Sequence, residues 1–219
     1  MSGFSSTEKD DAVFALLEGL IPDFDTGTGT SGRAMRQLLS QEPVRFCTAA
    51  VRLLNRNDHS PGSNYLLQLL VAEGMLVEQL GNPSAMSLDA AIRLAQRTSR
   101  GHTMLDAMLA ERILRTDRGG TPEHCEAVTT RILELLASIP TSPRILPVLM
   151  QLLHRPNPWI RSKAIMLLVR SRRDERWISQ VLSHADWRIR ANAIEALWLR
   201  ITPGCRPSYS APARIRTAA

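Results

Sequence analysis

Apolar residues recur along this chain three and four positions apart, the spacing of one face of an α-helix. Val13, Leu16, Leu17 and Leu20 form the first such stripe. Ser5 stands three residues before Glu8, a capping box for a helix over about 8–21. The Gly-, Thr- and Asp-rich run "PDFDTGTGTSG" at 22–32 predicts a loop. Helices are then predicted over 33–39 and 43–55, the latter starting at Pro43 and carrying Val44, Cys47, Val51 and Leu54. One long helix follows over 64–80, then others over 84–98, 103–115 (with Met104, Leu105, Met108 and Leu109) and 122–138. The last four are predicted at 143–154, 157–170, 174–183 and 186–200. The breaks before and between these four, "SIPTSP", "HRPNP", "SRRD" and "SHAD", are short and end in Pro or Asp, which start helices well and continue them badly. Strict alternation is scarce and aromatic content is 5%, so no strand is expected. The pattern is all-α, with about eleven helices.

Two of these helices carry nearly the same text. "PNPWIRSKAIMLLV" at 156–169 recurs as "ADWRIRANAIEALW" at 185–198, a shift of 29 positions. Aligning Ile160-Arg161 with Ile189-Arg190 sets Asn157 on Asp186, Ala164 on Ala193 and Leu168 on Leu197. Asn157 and Asp186 can cap the helices that follow them. Ile, Ala and Leu make one apolar stripe, and alanine lets neighbouring helices approach closely. Arg161 and Arg190 sit at the stripe's edge, where the stem packs and the head can meet an acid on the next repeat. A pair of helices this short cannot bury its apolar face alone, so a fixed period means stacked pairs.

On these residues, 142–200 resembles HEAT repeats, and "DWRIRANAIEAL" is similar to the second-helix pattern of that family. The resemblance fades toward the N-terminus: "EPVRFCTAAVRLL" at 42–54 keeps Val44-Arg45 but has Thr48 where alanine is expected. It implies a right-handed α-α superhelix over 1–200. About five helix pairs are expected: 33–39/43–55, 64–80/84–98, 103–115/122–138, 143–154/157–170 and 174–183/186–200. The helix at 8–21 would cap the first. It further implies a structural ladder of Asn157, Arg161, Asp186 and Arg190, in which Asn157 departs from the usual acid. Residues 201–219 lack both periodicity and acid. They are expected to be a disordered basic tail or, given the abrupt change after a near-consensus repeat, a truncated or frame-shifted end.

Charge adds an asymmetry. The chain of 219 residues has 27 basic and 21 acidic groups, net +6. Residues 1–154 carry 14 basic and 17 acidic groups, a net −3. Residues 155–200 carry 10 and 4, and the last 19 add three arginines, so the positive charge is C-terminal. A basic end suits an acidic partner or nucleic acid, though a solvated helix face looks the same. Trp159, Trp177, Trp187 and Trp198 lie in the last two repeats among Arg172, Arg173, Arg176 and Arg188. Aromatics among arginines serve either packing or a binding surface, with Trp159, Arg172, Arg173, Arg176, Trp187 and Arg188 the candidate partner surface.

Catalytic chemistry finds little support. "DTGTGTSGR" at 25–33 has no lysine and follows a helix, so it is not a P-loop. A calcium loop from Asp23 would need a glutamate where Ala34 stands. His59, His102, His124, His154 and His184 show no metal-binding spacing, and Cys47, Cys125 and Cys205 are too sparse for a disulfide or zinc framework. No apolar run reaches the ~18–20 residues of a membrane span, and "MSGFSSTEKDDAVF" lacks the pattern of a secretion signal, so a cytoplasmic location is expected. The expected function is a non-enzymatic scaffold without cofactor or metal, binding a protein partner. The alternative is a nucleic-acid binder, since some HEAT-like proteins are DNA glycosylases. A lyase or chaperone of HEAT type rests on analogy alone.

Overall fold

The computed structural model of the chain describes residues 6–25, 29–56, 59–171 and 175–201. Among them are twelve α-helices, one short 3-10 turn and no strand. The helices are α1 (Ser6–Asp25), α2 (Ser31–Gln41), α3 (Pro43–Leu54), α4 (Pro61–Ala72), α5 (Met75–Gly81), α6 (Leu88–Ser99), α7 (Leu105–Thr116), α8 (Pro122–Ser138), α9 (Leu146–Leu152), α10 (Pro158–Ser171), α11 (Glu175–Leu182) and α12 (Trp187–Ile201). The 3-10 turn, Pro143–Ile145, precedes α9. The chain divides into two compact units, Met1–Val148 and Leu149–Ala219.

In the first unit the starts of helices follow from local chemistry. The Ser60, Ser87 and Thr121 hydroxyls accept hydrogen bonds from the N–H groups of Ser63, Ala90 and His124, at 3.2, 3.3 and 3.3 Å. Each satisfies a donor that the first helical turn cannot pair internally. Pro61 and Pro122 occupy first-turn positions, where no N–H is missed. Two expectations fail here. The helix expected over 64–80 begins at Pro61 and is split into α4 and α5 by Gly74, whose φ of 70° is left-handed. The loop expected at 22–32 is helical to Asp25, with Pro22 inside α1. The Phe24 ring stacks on Tyr65 at 4.7 Å, anchoring that last turn. A Cβ on Gly32 would lie 3.2 Å from the Phe24 ring, so a side chain there would have to shift the stacked pair by a few tenths of an ångström. The proposed Ser5 cap lies outside the described residues.

The helix α1 packs on α2, α3 and α4; α5 touches α4, α7 and α8; and α8 packs on α6 and α7. Leu17, Met35, Phe46, Leu66, Leu76, Leu109 and Ile132 are fully buried between them, each contributing roughly 1.5–3 kcal/mol. The stripe on α1 runs through Val13, Leu17 and Ile21, leaving Leu16 57% exposed. Val44 is 78% exposed in the first turn of α3, although Cys47 and Val51, three and seven positions later on the same side, are buried. Across α1 and α3, Asp10 pairs with Arg45 (2.9 Å), Asp11 with Arg52 (3.5 Å) and Glu18 with Arg56. Arg45 also meets Glu42, and these hydrogen bonds to Glu42 and then Asp10 raise its pKa.

In the second unit α12 packs on both α10 and α11. Ile165, Val169, Val181, Ile189 and Ala193 form one buried cluster, flanked by Leu153, Met166, Leu182 and Leu197.

Candidate functional site

The repeated motif builds the same local structure twice. Asn157 Oδ1 accepts from the Trp159 and Ile160 N–H groups at 2.9 and 3.4 Å, and Asp186 Oδ1 accepts from the Arg188 N–H at 2.9 Å. Both residues therefore cap their helices. Arg161 Nη1 donates to the carbonyls of Arg155 and Pro156, both at 2.8 Å. Arg190 Nη1 donates to those of His184 and Ala185, at 2.7 and 2.9 Å. In each case the guanidinium folds back over its own loop and binds the carbonyls six and five residues earlier. Spacing alone suggested an acid on the next repeat as the partner; this clamp on the preceding loop was missed. The structure also brings Arg161 Nη2 to 3.7 Å from Asp186 Oδ2, with both side chains less than one-third exposed. His184 adds an Nδ1 acceptor for the Asp186 N–H, at 3.0 Å.

The candidate surface residues separate into groups. Trp159 and Trp187 are 37% and 63% exposed. Lys163 sits over the Trp159 ring at 5.4 Å and Arg188 over the Trp187 ring at 5.6 Å, within range of a cation–π attraction. Arg172 and Arg173 lie outside the described residues, as do the side chains of Arg176, Trp177 and Trp198. Ile194, absent from the candidates, is 57% exposed on α12.

The first unit holds a buried cation that the sequence did not signal. Arg131 on α8 is 7% exposed and donates to three carbonyls: Leu80 (2.6 Å), Met86 (2.8 Å) and Ser87 (3.3 Å). It ties the end of α5 to the loop before α6. Burial lowers its pKa below the ordinary arginine value. Asp106, also buried, accepts from the Ala107 and Ser142 N–H groups at 2.8 and 2.5 Å. These charges brace turns.

Other chemistry is sparse. Burial pushes the Cys47 thiol up to about 11, against a weaker lowering by a hydrogen bond with Gln79, so it carries little thiolate at neutral pH. Cys125 is buried and its thiol donates to the Thr116 carbonyl at 3.3 Å; Cys205 lies outside the described residues. His59, His124, His154 and His184 are exposed and His102 is half-buried. Among the described residues no three His, Cys, Asp or Glu side chains converge on a metal position, and no helix is long and apolar enough to cross a membrane. A shallow pocket lined by Leu54, Asn55, Ala90, Arg93, Leu94 and Arg97 has no nucleophile, and Arg97 Nη2 donates to Asn64 Oδ1 at 2.6 Å beside it. Comparison with family models, with curated proteins and with solved structures finds no match.

Proposed function

We propose that this chain is a HEAT-like right-handed α-α superhelix that works as a non-enzymatic scaffold, binding another protein. One observation carries the reading. Arg161 and Arg190, 29 residues apart, clamp the carbonyls six and five positions before them and follow matching caps at Asn157 and Asp186. A unit repeated with its bracing intact is the way stacked helix pairs build an extended binding surface. Arg131 and Asp106, the buried charges among the described residues, hydrogen-bond to backbone, the role of a structural brace.

A second reading, electrostatic binding of nucleic acid, draws on the 13 basic and 4 acidic residues of 149–219. A mobility-shift titration on duplex DNA across a salt series separates the two. The scaffold reading expects weak binding at physiological salt, little changed by Arg172→Glu, Arg173→Glu and Arg176→Glu together. Tight binding that collapses with salt and is lost in the triple variant overturns it.

A further inference from the structure

The helices α10 and α12 are related by the 29-residue repeat, and that relation exposes a missing neighbour. On α10 both long faces are covered. Ile160, Ala164 and Leu167 are buried on one, and Ile165 and Val169 on the other. The second face is the one that packs against Val181, Ile189 and Ala193 of the following helix pair. On α12 the first face is likewise buried, through Ile189 and Ala193. The second is open. Ile194 stands 29 residues after Ile165; Ile165 is 2% exposed and Ile194 57%. Trp187 and Ala191, also exposed, lie seven and three positions before Ile194 and so share its side of the helix.

We propose that the Trp187–Ala191–Ile194 face of α12 is a docking site for an acidic amphipathic helix of a partner protein. The shape argument comes from α10: the same face there accepts a helix presenting Ile and Ala four residues apart, as Ile189 and Ala193 do. The charge argument selects the source. Residues 149–219 carry a net +9, and Arg188 and Arg190 flank the face. A second copy apposing its own α12 would bring two such fields together, and three of these arginines lie in residues 202–219, which hold no acid. A partner helix with Asp and Glu beside its apolar stripe meets both demands. This site rests on the protein-binding reading above and gives it a location and a ligand chemistry.

The probe is a synthetic peptide of residues 175–201 bearing Arg176→Glu, Arg188→Glu and Arg200→Glu, which keeps Val181, Ile189 and Ala193 and has six acids and one arginine. Titrated into the full chain, it is expected to bind saturably. Ile194→Glu should weaken it at least about tenfold, as loss of a central apolar contact does, and leave the thermal midpoint in place. Ala191→Glu reads the same face should Ile194→Glu fail to fold. The unsubstituted peptide should bind more weakly. Each of these results overturns the proposal: no binding of the acidic peptide; equal binding of both peptides; binding only after removal of residues 202–219, which makes the chain's own end the occupant; and sedimentation showing a dimer that Ile194→Glu dissociates, which makes it a second copy. Binding that ignores both variants also overturns this site, while the protein-binding reading stands or falls on the DNA titration.

Discussion

The two units brace their interhelical turns with the same side chain at opposite ranges. In the second, Arg161 and Arg190 reach back five and six residues along their own chain. In the first, Arg131 reaches carbonyls 44 to 51 residues away, from a site almost closed to solvent. A local clamp orders one loop and leaves its charge near water. A long-range clamp welds three segments and puts the charge in the interior. The first kind is repeatable, because each copy brings its own partners; the second can be used once.

The contrast is sharpest under truncation. Replacing Arg131 with methionine keeps most of the buried stem and leaves the Leu80 and Met86 carbonyls without this donor, while the Ser87 carbonyl keeps the Ala91 N–H at 3.1 Å. A lost partner of this kind costs about 1–3 kcal/mol per group, with losses in one network less than additive. We expect Arg131→Met to destabilise the first unit by about 3 kcal/mol. Urea denaturation of wild type and variant reads this directly, and a loss under about 1 kcal/mol would show the guanidinium to be replaceable by packing.

That difference in range also explains what the sequence disclosed. Helices were legible because their apolar spacing is local, and Arg161 and Arg190 drew attention because the motif repeats. The position of the clamp was one inference away, since its acceptors precede it in the same loop. Arg131 left no trace, because backbone carbonyls have no residue identity and any side chain could have met them. Gly74 stood in plain view inside a helical pattern, yet only its left-handed φ shows that it ends α4. Leu16 and Val44 sat in correct stripes and emerged exposed, because spacing marks an apolar side without saying whether a neighbour covers it. Ile194 is the same ambiguity, resolved by comparing it with Ile165.

The closed interior of the first unit also predicts a pH effect. The unfolded chain releases the Cys47 proton near its ordinary value of 9.0, while the folded chain holds it to about 11. Between those values the folded state binds more protons, so stability falls as pH rises. The contribution is whole below pH 9 and has gone above 11. A proton held that much more tightly by the folded state is worth about 2–3 kcal/mol. Wild type should lose that much relative to Cys47→Ala across this window in denaturant titrations at successive pH values. Parallel curves for the two proteins would mean the thiol reaches solvent.

The smallest expected effect tests whether the repeats are coupled or merely alike. Arg161 and Arg190 make matching pairs of loop hydrogen bonds, so each methionine variant should lose about 1–2 kcal/mol from that source. Arg161 alone of the two also faces a carboxylate across the repeat, Asp186 at 3.7 Å. A pair of this exposure is worth about 0.2–1 kcal/mol. Arg161→Met should therefore exceed Arg190→Met by that margin at low salt, and the excess should shrink in 1 M salt, where the screening length is about 3 Å. A double-mutant cycle with Asp186→Asn, which keeps an oxygen for the helix cap, isolates the pair's own contribution. A coupling energy of zero would leave the clamp as a purely internal brace, with apolar burial at Ile165 and Ile189 holding the repeats together.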